Sequence, residues 1–215
     1  MGASPPPAAR RALTWPGVAR PSLSPKPAEV RVPSGRFAIL PLIEKQPGLL
    51  SVLQIDAHAD LRDQYDGTPH SHASIMRRVT EFCSAVQVGI RSLSADEARA
   101  IPSLPTRVFY AKDIVGHTEW IEEAVESLTE DVYLTIDVDG FDPSLIPTTG
   151  TPEPGGLMWY DVVSLIRRTA AEKRIVGMDV TELSTSPGNN SPSFLTAKLI
   201  YKTLGYIFGD QVPKL

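Results

Sequence analysis

From residue 37 onward, short apolar and β-branched runs alternate with longer stretches whose apolar positions recur every three or four residues. The runs "LSVLQID" (50–56), "AVQVGI" (85–90), "RVFYA" (107–111), "VYLTIDVD" (132–139) and "RIVGMDVTEL" (174–183) predict strands. Segments 71–84, 94–101, 117–128, 158–172 and 193–208 predict helices. The helix over 117–128 opens at a cap on Thr118 or His117 and repeats apolar positions at Trp120, Ile121, Ala124, Val125 and Leu128, a one-sided stripe. Strands alternating with helices of this length pair in parallel through right-handed crossovers and carry helices on both faces. The expected architecture is a three-layer α/β/α domain with a mainly parallel sheet. Ligands in such domains bind beyond the carboxyl ends of the strands, so residues just after each strand are the first candidates for function.

Residues 1–34 break this pattern. They hold eight of the 20 prolines, five basic residues and one acidic residue, a composition that does not fold alone. The expected organisation is therefore a disordered Pro/Arg-rich tail over 1–34 and a partial domain over 35–215. An Arg-rich, acid-poor start is also a property of organellar transit segments, but the proline spacing opposes the amphipathic helix they use. A cytoplasmic location is expected, with the mitochondrion as the alternative.

Composition narrows the chemistry. A net charge of −4 gives no basic field for nucleic acid or anionic lipid, and no apolar run approaches the roughly 20 residues of a membrane span. The single cysteine, Cys83, excludes an internal disulfide and a Cys-rich zinc site, and reads as a small buried residue of the 71–84 segment.

Acids gather at three strand ends: Asp56, His58 and Asp60 in "DAHAD"; Asp137, Asp139 and Asp142 in "DVDGFDP"; Asp179 and Glu182 in "DVTEL". Alternate residues of an extended chain share a face, so Asp56, His58 and Asp60 form one set and Asp137 and Asp139 another. If the two strands are neighbours, four carboxylates and an imidazole converge, and buried like charges are relieved best by cations. Oxygen-rich ligation with an imidazole suits manganese or magnesium better than zinc. Two such ions sharing carboxylates generate a hydroxide near neutral pH, the core of a hydrolase. A lone Asp after a strand more commonly caps the next turn. Capping does not require an in-face repeat of acids on two separate strands.

"IDAHADLRD", "LTIDVDGFDPSLIPTTGTPEPGG" and "GMDVTELSTS" resemble, in order and spacing, the signature segments of the ureohydrolase family of arginases and agmatinases, from about residue 49 to about residue 208. The resemblance implies an arginase-like fold and two manganese ions per subunit, with a bridging hydroxide that attacks the guanidinium carbon and releases urea. It further implies that Asp56 and Asp137 bridge both ions, that His58 and Asp139 complete one site, and that Asp60 belongs to the other. Glu182 matches the acid that pairs with the substrate guanidinium, Thr151 a position lining the guanidinium pocket, and His72 the histidine that passes a proton to the leaving amine. His70 competes with His72 for that last role, whereas His117 reads as a surface or capping residue. Arg77 and Arg78 read as a solvated face or as contacts to a neighbouring subunit, the family resemblance implying a homo-oligomer. "TPEPGG" and the ending "AKLIYKTLGYIF" are closer to agmatinase than to arginase, which implies agmatine as substrate, with other linear guanidines such as guanidinobutyrate remaining open.

One departure bears on activity. The family carries a Gly-Gly-Asp/Glu segment followed by His and Ser upstream of the first metal motif, and that histidine ligates the ion that Asp60 also holds. Here the corresponding "GRFAILPLIEKQPGLL" contains no histidine, and none precedes His58. Relatives also carry roughly a hundred further residues of the same sheet, so an N-terminally truncated domain with an open sheet edge is expected. The expected consequence is one well-held ion, a second weakened by the loss of a ligand, and low or no hydrolase activity. The alternatives are a non-catalytic regulatory or interaction subunit of the same fold and, less specifically, a metal-dependent hydrolase of acetylated amines.

Overall fold

The structure is a computed structural model that describes residues 49–209. The proline-rich segment 1–34 and the apolar run "FAILPLI" lie outside these residues.

Five strands form one wholly parallel sheet: β1 (Leu50–Ile55), β2 (Ser84–Ile90), β3 (Thr106–Tyr110), β4 (Asp131–Asp137) and β5 (Arg174–Thr181). Their order is β3-β2-β1-β4-β5. β1 reads as an unbroken run because it is the central strand and every residue in it is buried. Six helices connect or cover the strands: α1 (Ile75–Val79), α2 (Ala95–Ala100), α3 (Ala111–Ile114), α4 (Trp120–Glu126), α5 (Trp159–Glu172) and α6 (Ser191–Phe208). Leu53, Ile55, Val88, Leu134 and Ile136 face α4, α5 and α6 on one side through Val125, Ile166 and Leu199. Val52, Ala85, Ile90 and Tyr133 face α1 on the other through Met76 and Val79. The three-layer parallel architecture expected from the sequence is the observed one.

The order of the strands locates the site. The chain steps from β1 outward to β2 and β3, then returns to the opposite side of β1 with β4 and continues outward to β5. Crossovers running in opposite directions leave a crevice between the carboxyl ends of β1 and β4. Asp56 follows β1 directly, and Asp137 closes β4.

Several boundaries differ from expectation for local reasons. The helix expected over 71–84 is a single 3-10 turn, His72–Ser74, followed by the short α1. The chain leaves it after Val79 because Ser84 must already pair beside Ser51 in β2, and the Thr80 hydroxyl turns back onto the Arg77 carbonyl at 2.9 Å. α4 starts after Glu119, which supplies no side-chain cap, so neither Thr118 nor His117 caps it. The His117 carbonyl instead accepts from Trp120 Nε1 at 2.9 Å. α3 continues straight from β3 and was not expected. Cys83 is buried as expected. Arg78 donates to Asp63 at 2.8 Å, and so spans the surface between α1 and the 61–70 loop.

Candidate metal centre

The acids of the two sets stand at the strand ends and just beyond them, Asp137 as the last residue of β4 and the others in the turns that follow. β1 ends at Ile55 and β4 at Asp137, so Asp56–Asp60 and Val138–Gly140 are turns beyond the sheet. Strand pairing reaches Asp137 in β4 and, through a single bridge to Ser92, His58. Hydrogen bonds within the turns also hold the acids: Asp56 Oδ1 accepts the His58 amide at 2.6 Å, and Asp137 Oδ1 accepts the Asp139 amide at 2.9 Å. Both acids thus cap the turn that follows them and also stand at the crevice. The two turns are joined where the Ala57 amide donates to Asp139 Oδ1 at 3.1 Å. Gly140 permits the approach, since a Cβ there would lie 2.9 Å from the Asp56 nitrogen.

Asp56, His58 and Asp139 form the one group of three potential ligands found among the described residues, with a donor atom from each within 4.8 Å of the others. His58 Nδ1 stands 3.0 Å from Asp139 Oδ2 and 3.6 Å from Asp56 Oδ1. Its Nε2 faces Glu153 Oε1 at 3.9 Å. Asp139 Oδ2 also accepts from the Thr151 hydroxyl at 3.2 Å.

Charge in this cluster is relieved at Asp139 and not at the other acids. Burial first, then the charge of Asp139, pushes the Asp56 carboxyl up to about 6 against the opposing bonds from His58. Burial first, then Asp56 and Asp139, pushes Asp137 up to about 10. Asp60 is driven well above the carboxylate range by burial and then by Asp56. Burial also raises Asp139, but the His58 bond, the His58 charge and the Ala57 amide outweigh it and hold that carboxyl below its ordinary value. Asp139 and then Asp56 pull the His58 imidazole up to about 10 by hydrogen bonding. Acids driven upward by burial and then by one another's charge, beside an imidazole, are a donor set that a divalent ion would satisfy. The 3.0 Å between His58 Nδ1 and Asp139 Oδ2 also matches adjacent ligands on an ion whose bonds are about 2.1 Å. The residues present fit a hard or borderline divalent metal.

Asp60 and Asp137 stand outside the tight group of three, although their charges interact with it. Asp60 holds a left-handed φ of 52°, and Asp137 Oδ2 accepts from Thr181 on β5 at 3.4 Å. Glu182 follows β5 with a φ of 62°, and its Oε2 lies 3.6 Å from where a Cβ on Gly150 would stand. Glu182 therefore borders the loop that carries Thr151. The Thr148 and Thr149 hydroxyls of that loop are buried without a hydrogen-bond partner among the described residues. His72 is exposed and meets Tyr65 edge-on at 5.5 Å between ring centroids. It lies outside the metal group, as does His70, whose amide donates to Thr68 at 3.2 Å. Asp142 caps a turn instead of facing the metal group, accepting from Ser144, Gly155 and Gly156 amides at 2.9, 3.2 and 3.1 Å. Asp179 ties β5 to β4 through Tyr133 at 2.8 Å and Thr135 at 2.7 Å.

The sequence model of the Arginase family matches residues 37–205, and the two acid-bearing turns at the switch point fall within that match. The chain belongs to the arginase family. It is 44% identical over 77% of its length to an N(1)-aminopropylagmatine ureohydrolase of Synechocystis, covering 55% of that protein. It is 37% identical over 72% of its length to an agmatinase of Pyrococcus horikoshii, covering 54% of it. The solved agmatine ureohydrolase of Thermoplasma volcanium superposes with a TM-score of 0.69 at 29% identity, over 79% of this chain and 59% of that one. This arginase-family chain thus spans about half the length of the curated relatives it matches.

Two features of the arginase-family site escaped the sequence reading. Thr106, Gln87 and Gln54 form a polar chain across β3, β2 and β1 that ends on Asp56: Thr106 donates to Gln87 at 2.9 Å, Gln87 to Gln54 at 2.5 Å, and Gln54 to Asp56 Oδ2 at 2.7 Å. Arg91, the first residue after β2, sends its guanidinium beneath both the 139–141 turn and the 153–154 loop. Its place after a strand end was the available signal.

Proposed function

We propose that the chain carries the metal and guanidinium sites of a ureohydrolase acting on a linear guanidine of the agmatine class, which it would split into urea and the corresponding amine, putrescine for agmatine. The observation that carries this is the meeting of Asp56, His58 and Asp139 at the switch point, with the Thr151 hydroxyl on Asp139 and Glu182 beside the same loop. Manganese is the metal proposed, held by Asp56, His58 and Asp139, with Asp137 and Asp60 toward a second ion. Bound there, it would supply a water acidified enough to act as nucleophile near neutral pH. The other work belongs to the chain. Glu182 pairs with the guanidinium, whose planar fork suits a carboxylate. Thr151 fixes Asp139 and lines the guanidinium pocket. His72 donates a proton to the departing amine nitrogen, a transfer suited to imidazole chemistry.

The domain is proposed to run from residue 35 and to be partial, and its assembly to be a homo-oligomer. The stretch "GRFAILPLIEKQPGLL" offers no histidine to the ion associated with Asp60, and low turnover by this chain is proposed on that ground. Urea release from agmatine and from N(1)-aminopropylagmatine, measured with bound metal counted in the same sample, tests this. Two tightly held manganese ions with rapid turnover would refute the impairment, and a chain that binds no divalent metal would refute the site. A non-catalytic subunit of the same fold is the second reading. Co-purification with a full-length homologue and a change in that homologue's rate would support it.

A further inference from the structure

Arg91 joins segments that carry different parts of the proposed site. Its backbone is pinned to the first metal turn, the Arg91 and Ser92 amides both donating to the Ala57 carbonyl at 2.9 Å. Its side chain crosses toward the second turn. Nη2 donates to the carbonyls of Asp139 at 2.8 Å, Glu153 at 2.8 Å and Phe141 at 3.2 Å. Nη1 donates to Gly89 at 3.1 Å and Gly140 at 3.3 Å, and Nε to Pro154 at 3.0 Å and Glu153 at 3.3 Å. Every acceptor is a main-chain carbonyl, so the contact depends on backbone position. Five donors in a rigid plane can serve such a set, and the three donors of a lysine, which radiate from one point, cannot.

The packing around the guanidinium is close enough to transmit position. A Cβ on Gly156 would lie 2.7 Å from Arg91 Nη2, 2.5 Å from the Asp142 nitrogen and 2.6 Å from the Phe141 carbonyl carbon. Gly155 and Gly156 are held from the other side by the Asp142 carboxylate. Thr151, two residues before Glu153, donates to the carboxylate of Asp139, while Arg91 holds the carbonyls of both Asp139 and Glu153.

We propose that Arg91 is a positioning residue that fixes the 151–156 loop against the 139–141 turn, and so sets the spacing between the metal ligand Asp139 and the guanidinium-binding Thr151. The proposal rests on the metal and guanidinium reading above for its functional meaning, but its geometric half stands apart from it. Arg91 touches neither metal nor substrate and acts through the main chain it holds.

The test compares the 215-residue chain with Arg91→Lys, which keeps the charge and loses the fork. Two quantities are read in each: amide exchange over 150–157 in metal-free protein, and the affinity for Mn2+ followed by its electron spin resonance. R91K is expected to unfold cooperatively, to exchange at least about tenfold faster over 150–157 with α5 unchanged, and to bind Mn2+ about tenfold more weakly, the scale of lost support around a metal ligand. Unchanged exchange overturns the proposal, and so does faster exchange with unchanged Mn2+ affinity. If the wild-type chain binds no Mn2+, the metal reading fails by itself, and exchange alone then decides whether Arg91 holds the loop. If R91K does not fold, Arg91→Gln carries the same two measurements. If neither variant folds, Arg91 is a folding residue and the proposal is overturned.

Discussion

Gly140 stands where a side chain would strike the backbone of Asp56, 2.9 Å from its nitrogen and 3.1 Å from its Cα. Main-chain atoms cannot swing aside, so Gly140→Ala must separate the two acid-bearing turns. The expected loss is about 1–3 kcal/mol in urea unfolding, together with a fall in Mn2+ affinity. Wild-type values for both would mean that the turns relax freely. Cys83 gives a second test at this scale. Burial pushes its thiol up to about 11 from 9.0, and an acid with a raised pKa has less of its reactive anion at any given pH. At pH 8 the thiolate fraction is about a hundredfold below that of an unshifted thiol. Alkylation of the native chain should lag that of the urea-unfolded chain by at least this factor, and equal rates would show the thiol to be accessible. Asp56, His58 and Asp139 were legible in sequence because a metal selects side chains of recognisable type. Arg91 was not, because its acceptors are carbonyls that every residue has. The Gln54–Gln87 link was not either, because it exists only once the register pairing those two positions is known.

Most elements were legible because burial imposes their periods. β1, β2 and β4 lie inside the sheet and read as apolar runs, and α5 shows its buried stripe at Val162, Val163, Leu165, Ile166 and Thr169. Ends were less legible, since they are set by contacts distant in sequence. α2 shows how an element end reaches the site. The Ser94 hydroxyl accepts the Glu97 amide at 3.3 Å, and Glu97 Oε2 accepts the Ser94 amide at 2.7 Å, closing a capping box. The other Glu97 oxygen accepts the Leu61 amide at 2.9 Å, the residue immediately after Asp60. Glu97 is buried, so Glu97→Ala strands two amides away from water and should cost about 1–3 kcal/mol. Glu97→Gln retains one acceptor oxygen and should cost less. Equal losses in chemical denaturation would mean that charge or packing, and not amide satisfaction, is what Glu97 provides. The α2 capping box is thus also the anchor of the turn that carries Asp60.

At the scale of the molecule, β5 closes one side of the described sheet, and all its residues but the exposed Arg174 are only half-buried. The composition break near residue 35 falls outside the described residues. Among the described residues no helix is long and apolar enough to cross a membrane. Metal binding is the property that should couple the whole domain to its site. An ion that binds the folded chain alone adds about 2.7 kcal/mol at a hundred times its dissociation constant. For a domain of this size each kcal/mol moves the unfolding midpoint by about 2–4 °C, so saturating Mn2+ should raise it by about 5–10 °C. The ligands come from turns after two central strands, so releasing the ion requires those turns to part, and the gain should appear in one cooperative transition. Asp139→Asn should abolish the shift, because it removes a ligand oxygen and the partner that orients His58. His117→Ala, which changes an exposed imidazole outside the group of potential ligands, should leave the shift intact. Titration should saturate at one ion per chain, since one group of three potential ligands is assembled among the described residues. Saturation at two ions would mean that the carboxylates alone suffice for the second.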